Sequence, residues 1–123
     1  MTISLDEFKK VEITVGKIVS AEKIMDTDKL LKLTVDFGVK AIPAPAAGAG
    51  AGSDIRQIIS GIALHFPDPV VLVGKQCMFV TNLEPRTIKG FESNGMLLAV
   101  STDDGKFSLL LPSNDIPPGA RAR

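Results

Sequence analysis

A small, closed all-β barrel with a short N-terminal helix and a C-terminal extension is the fold that this 123-residue sequence predicts. Three observations lead there. Apolar residues recur at every second position in Val11, Ile13, Val15 and again in Leu31, Leu33, Val35, Phe37, which is strand periodicity. Further apolar runs follow at Ile55–Ile62, Lys75–Thr81 and Gly95–Ser101, punctuated by Gly, Pro, Asn and Asp, so five main strands alternate with short connections. In the first strand the apolar phase slips after Gly16, where Ile18 and Val19 are both apolar, and a bulge or sharp bend at Gly16 accounts for the slip. A bend of that kind lets one long strand serve both halves of a barrel.

The elements follow in order. Ser4-Leu5-Asp6-Glu7 reads as a capping box that starts a helix over Leu5–Lys10, with Phe8 expected to pin it to the core. The first strand spans Val11–Ser20. Asp26-Thr27-Asp28 supplies the turn into the second strand, Leu31–Phe37. Ala41–Ser53 (AIPAPAAGAGAGS) carries no charge and no bulky side chain after Ile42, and reads as a flexible Ala/Gly insertion within a single domain covering residues 1–123. It is not a phosphate-binding loop, since no Lys-Ser/Thr follows it. His65–Val73 is a Pro-punctuated connection with room for one helical turn. Asp103-Asp104-Gly105 turns the chain into a sixth short strand, Lys106–Leu111.

Five strands with a bulged first member fit the oligonucleotide/oligosaccharide-binding (OB) fold. Its ligand face is built on strands two and three and on the loops between strands one and two and between four and five. Those loops are Ile24–Asp28 and Asn82–Asn94 here.

Composition narrows the class. Fourteen basic and fourteen acidic residues give zero formal net charge, which argues against a strongly basic nucleic-acid coat and leaves room for a local basic face. No apolar run approaches the ~18 residues of a membrane span, and MTISLDEFKK lacks the layout of a secretory signal. The single cysteine, Cys77, excludes an internal disulfide and reads as a small buried residue. A cytoplasmic protein without membrane partner, metal or cofactor is expected. His65, the only histidine, has no Ser or Cys partner for nucleophilic catalysis. Asp26 and Asp28 are too few for a calcium loop. The chain is expected not to be an enzyme.

The densest chemistry lies in Asn82–Met96 (NLEPRTIKGFESNGM), which places Arg86 and Lys89 between two apolar runs. Arg86 can fork two hydrogen bonds onto a phosphate or a guanine edge, and Lys89 adds a point charge. Lys29 and Lys32 stand beside the first loop. Asn82 and Ser93 offer hydrogen bonds to sugar or base, and Met96 reads equally as an adaptable base-contacting surface or as a plain core methionine. With six Phe and no Trp or Tyr, the chain is poor in stacking platforms for single strands, so folded RNA recognised by shape and phosphates is the favoured ligand.

The same segment resembles the tRNA-binding domain family. Its members include the C-terminal domain of many methionyl-tRNA synthetases, a free-standing tRNA-binding protein and endothelial monocyte-activating polypeptide II. Asn82, Leu83, Pro85, Arg86, Gly90, Ser93, Gly95 and Met96 match the family pattern, while Glu84 and Thr87 depart from it by removing positive charge. Val11–Ser20, Asp26–Asp36 and Ile55–Ala63 resemble its first three strands in the expected order. The resemblance implies a tRNA site lined by Asn82, Arg86, Ser93 and Met96, a partnership with an aminoacyl-tRNA synthetase, and homodimerisation through the C-terminal region. Leu109-Leu110-Leu111 offers an apolar contact for that pairing. Two other functions are open: an export-related chaperone dimer of the same fold that binds unfolded peptides, and a purely structural partner-binding domain.

Overall fold

The computed structural model describes residues 1–41 and 51–123. Its regular secondary structure is almost all strand, with one α-helical turn and two short 3-10 turns among the described residues. Helix α1 is a single turn, Leu5–Phe8, and the Ser4 hydroxyl caps it by accepting from the Glu7 N–H at 3.1 Å. Phe8 does not reach the core: it is 41% exposed and α1 buries no residue. One turn presents too few side chains to bury a face.

Five strands form one curled antiparallel sheet in the order β3-β2-β1-β4-β7. They are β1 (Ile13–Lys23), β2 (Leu31–Ala41), β3 (Ala51–Ser60), β4 (Gln76–Val80) and β7 (Met96–Leu97). The long strands were legible from their alternation, but the register break in β1 is at Val19 and not at Gly16. Pairing with β2 shifts between Ile18 and Ser20, and Val19 is left pointing to solvent at 48% exposure. Gly16 is demanded by packing instead. A Cβ there would lie 2.5 Å from Val35 Cγ1 and 2.6 Å from Phe37 Cε1. The second half of β1 pairs with β2 and the first half with β4, so the bulge marks where the sheet turns the corner.

The core is the inner face of this sheet. Ile18, Leu31, Leu33, Val35, Phe37, Ile58 and Phe79 are fully buried, with Phe37 and Phe79 meeting edge to face at 5.3 Å between ring centres. Of the expected Ala41–Ser53 insertion, Ala41 ends β2 and Ala51–Ser53 open β3, paired as Ala41↔Ala51 and Val39↔Ser53. The rest of it, 42–50, lies outside the described residues.

The expected fifth strand is split into β7 and β8 (Ala99–Ser101), and β8 forms a hairpin with β9 (Phe107–Leu109). The C-terminal extension is part of the barrel wall. Ile13–Val15 has no β2 partner, and the tail fills that gap: Val15 N–H donates to the Ala120 carbonyl at 2.9 Å and Ala122 N–H to the Ile13 carbonyl at 2.8 Å. Gly38 and Gly119, both at positive φ, let the tail in. A Cβ on Gly119 would stand 2.4 Å from the Phe37 carbonyl oxygen. Among the described residues no helix is long and apolar enough to cross a membrane.

Candidate nucleic-acid interface

The loop expected at Asn82–Asn94 contains the other of the two small sheets found among the described residues. Strands β5 (Arg86–Ile88) and β6 (Phe91–Ser93) pair as Arg86↔Ser93, Thr87↔Glu92 and Ile88↔Phe91. The two residues between them, Lys89 at φ 51° and Gly90 at φ 85°, both take left-handed backbone, as the tight turn that suits a right-twisted hairpin requires. Glycine there is a turn requirement, and it leaves Lys89 exposed at the tip.

This hairpin is fastened along the free edge of β3. Asn94 N–H donates to the Gln57 carbonyl at 2.9 Å, and Gln57 Nε2 donates to the Glu92 carbonyl at 2.9 Å. Ser93, 4% exposed, accepts from the Ile59 N–H at 3.0 Å and donates to the Gly95 carbonyl at 3.1 Å. The chain then crosses to β4, where Met96 pairs with Val80. Residues 92–97 therefore bridge the two edges of the curled sheet.

The predicted site residues divide into two groups. Arg86, Lys89 and Lys29 are exposed, and among the described residues their side chains have no ion pair or hydrogen bond. Lys32 is half-buried on the outer face of β2, 3.6 Å from a Glu22 carboxylate oxygen and 5.6 Å from the centre of the Phe91 ring. Met96 is 42% exposed, so it is not the plain core methionine. Asn82 and Ser93 use their polar groups on the fold. Asn82 accepts from the Glu12 N–H at 2.8 Å and donates to the Lys10 carbonyl, fastening the end of β4 to the chain entering β1.

Two contributors were missed in the sequence. Arg56 forms a two-pronged ion pair with Asp54 at 3.0 and 3.1 Å, and its other nitrogen donates to the Thr81 carbonyl at 2.6 Å and the Asn94 carbonyl at 3.2 Å. It thereby ties β3 to both ends of the Asn82–Asn94 loop. An isolated Arg in an apolar strand gives no sign of such distant partners. Phe91 places an aromatic ring on the hairpin beside Lys32, and its pairing opposite Ile88 becomes readable only once the Lys89-Gly90 turn is recognised.

The β1–β2 turn faces the hairpin. Asp26 (φ 63°), Asp28, Lys29 and Leu30 line a groove with Ile88 and Lys89. The turn is held by Thr27 Oγ1 donating to the Ile24 carbonyl at 2.8 Å, by Ile24 N–H to the Leu30 carbonyl at 3.2 Å and by Ala63 N–H to the Lys29 carbonyl at 2.9 Å. Lys89 and Lys29 thus stand on two facing turns, and Arg86 opens the β5 strand that leads to the Lys89 turn. Glu84 and Glu92 are exposed on the same stretch as Arg86 and Lys89, so the cationic character is local.

Comparison with known proteins bears on this surface. The family model "Putative tRNA binding domain" matches residues 13–121. The chain belongs to the tRNA-binding domain family. This domain is 44% identical over 121 residues to the methionine–tRNA ligase of Methanospirillum hungatei, a match that covers 98% of the chain and 16% of the ligase. It therefore spans only a small part of the curated relatives it matches. Among solved structures, the MetRS-related protein of Pyrococcus horikoshii superimposes with a TM-score of 0.81 at 40% identity, covering 100% of this domain and 99% of that chain. The chaperone CsaA of Bacillus anthracis superimposes with a TM-score of 0.78 at 23% identity over the full length of both, which is a likeness of fold.

Proposed function

We propose that this chain is a non-catalytic module that holds the body of folded tRNA in support of methionyl-tRNA synthetase. The observation that carries the proposal is the β5–β6 hairpin. Arg86 and Lys89 stand on it unpaired, it is fastened to β3, and Lys89 at its tip shares a groove with Lys29. Arg86, Lys89, Lys29 and Lys32 meet phosphates, and Met96 offers an apolar contact to a base. Asn82 and Ser93 act through the hairpin's position. No cofactor or metal takes part. With zero net charge, affinity rests on a few fixed cations, and a tethered or paired module multiplies it.

A homodimer in the cytoplasm is part of the same proposal. Leu109 packs against the core while Leu111 is 51% exposed at the root of the C-terminal tail, which leaves one of the three leucines for a partner copy. Sedimentation at twice the 13.0 kDa chain mass is the result expected of a pair, and sedimentation at the single chain mass would refute it.

The direct test is binding of folded bulk tRNA against a single-stranded RNA competitor. Saturable binding that survives the competitor supports the module. Binding that the single strand removes, or capture of unfolded peptides in preference to tRNA, refutes it.

A further inference from the structure

The groove between the β1–β2 turn and the β5–β6 hairpin contains groups that a phosphate track does not explain. Asp26 and Asp28 line it together with Lys29 and Lys89, and Leu30 and Ile88 supply half-buried apolar surface. Among the described residues, none of the four charged side chains makes an ion pair or a hydrogen bond with another side chain. Two carboxylates beside a polyanion are a cost to binding if the ligand there is only phosphate. They are useful if the ligand presents N–H donors, because an ionised carboxylate is an acceptor only.

The groove's size and rigidity point the same way. Its volume of about 430 Å³ lies within the ~300–1,000 Å³ typical of small-ligand sites. That is room for a single nucleotide and too little for a duplex. Apolar surface at Leu30 and Ile88 can receive the face of a base, carboxylates can read its edge, and Lys29 and Lys89 can hold the flanking phosphates. Asp26 and Lys89 both take left-handed backbone, and hydrogen bonds at Thr27, Ile24 and Ala63 hold the first turn, so the backbone that carries the four charged groups is held while their side chains are free to meet a ligand.

We infer that this groove receives one unstacked RNA base with its Watson–Crick edge toward Asp26 and Asp28, and that it favours guanine, whose N1–H and N2–H donors are adjacent and match the two oxygens of a carboxylate. The inference rests on the tRNA-binding reading and adds to it a base-reading subsite made of carboxylates. Unpaired loop bases are the part of RNA that such an edge contact can reach.

The test compares the parent chain with Asp26→Asn, Asp28→Asn and the double variant. Asn tolerates the left-handed conformation and the side chains are exposed, so the fold is retained. Bulk tRNA affinity is measured across a salt series. RNA stem-loops carrying either one guanosine in a uridine loop or uridines alone serve as competitors. The expected result is a loss of tRNA affinity on the order of tenfold in the double variant, with an unchanged slope of log K against log salt. The parent prefers the guanosine loop and the double variant does not. A double variant that binds tRNA as tightly as the parent, or more tightly, overturns the inference, because the carboxylates then only repel RNA. Parent protein that binds no tRNA at all overturns the underlying reading and the subsite with it.

Discussion

Replacing Ser93 by Ala separates a positioning role from an RNA contact. In the native fold the hydroxyl accepts from Ile59 N–H at 3.0 Å and donates to the Gly95 carbonyl at 3.1 Å, at a site 4% exposed. Ala removes both partners at once. A buried backbone group left unpaired costs roughly 1–3 kcal/mol. The Ile59 N–H sits on the strand edge facing the hairpin, with no β-ladder partner on that side, so the expected loss is about 2 kcal/mol. With a urea dependence of ~1–3 kcal/mol per molar, the midpoint falls by about 1 M. Far-UV circular dichroism against urea reads this directly. The hairpin keeps its bonds through Gln57, so the folded variant retains most of its tRNA affinity. An unchanged midpoint combined with a large loss of affinity would refute the reasoning and return Ser93 to direct RNA contact.

Other outcomes follow from the same geometry. Gly16→Ala places a methyl against Val35, Phe37 and Phe79, all fully buried, and should lower stability by ~1–3 kcal/mol or more in the same urea assay. Gly119→Ala meets the Phe37 carbonyl oxygen at positive φ and should release the C-terminal tail, seen as faster exchange of the Val15 and Ala122 amides. Lys89→Asn keeps the turn, since Asn-Gly suits it, yet removes one phosphate contact, so stability holds or rises while the salt slope of tRNA binding falls by about 1. Burial pushes the Cys77 thiol up from 9.0 to about 11, against a smaller opposing pull from Lys75. Its proton is therefore retained in the fold after the unfolded chain has lost it. This contributes nothing to the pH dependence of stability below about pH 9 and lowers stability as pH rises from there toward 11. Iodoacetamide at pH 8 should leave the folded chain unmodified and label it in urea.

How much was readable in the sequence depended on the range of the interactions. The Ser4 cap, the alternation of β2 and the apolar strand β4 are set by near neighbours, and they were visible. The exposure of Arg86 and Lys89 was also visible, because a solvated cation in a polar loop needs no distant partner to define it. The roles of Asn82 and Ser93 were not. Their partners Lys10, Glu12 and Ile59 are far away in the chain, and a polar residue in a matched motif reads the same whether it faces ligand or fold. The same cause hid Arg56, the docking of the tail beside Ile13–Val15, and the packing reason for Gly16, which looked like a bend. Phe8 misled because an aromatic residue in a capped helix ordinarily marks a buried face, and here the helix is too short to have one.

The most direct test of the RNA surface is to titrate isotopically labelled protein with folded tRNA and follow each backbone amide by NMR. The account predicts that the largest changes fall on Asp26–Leu30, Lys32 and Arg86–Glu92, with smaller ones at Met96. Changes confined to α1 and the Arg121–Arg123 tail, or spread over the exposed Val19, Val70, Val71 and Val73, would place the ligand elsewhere and contradict it.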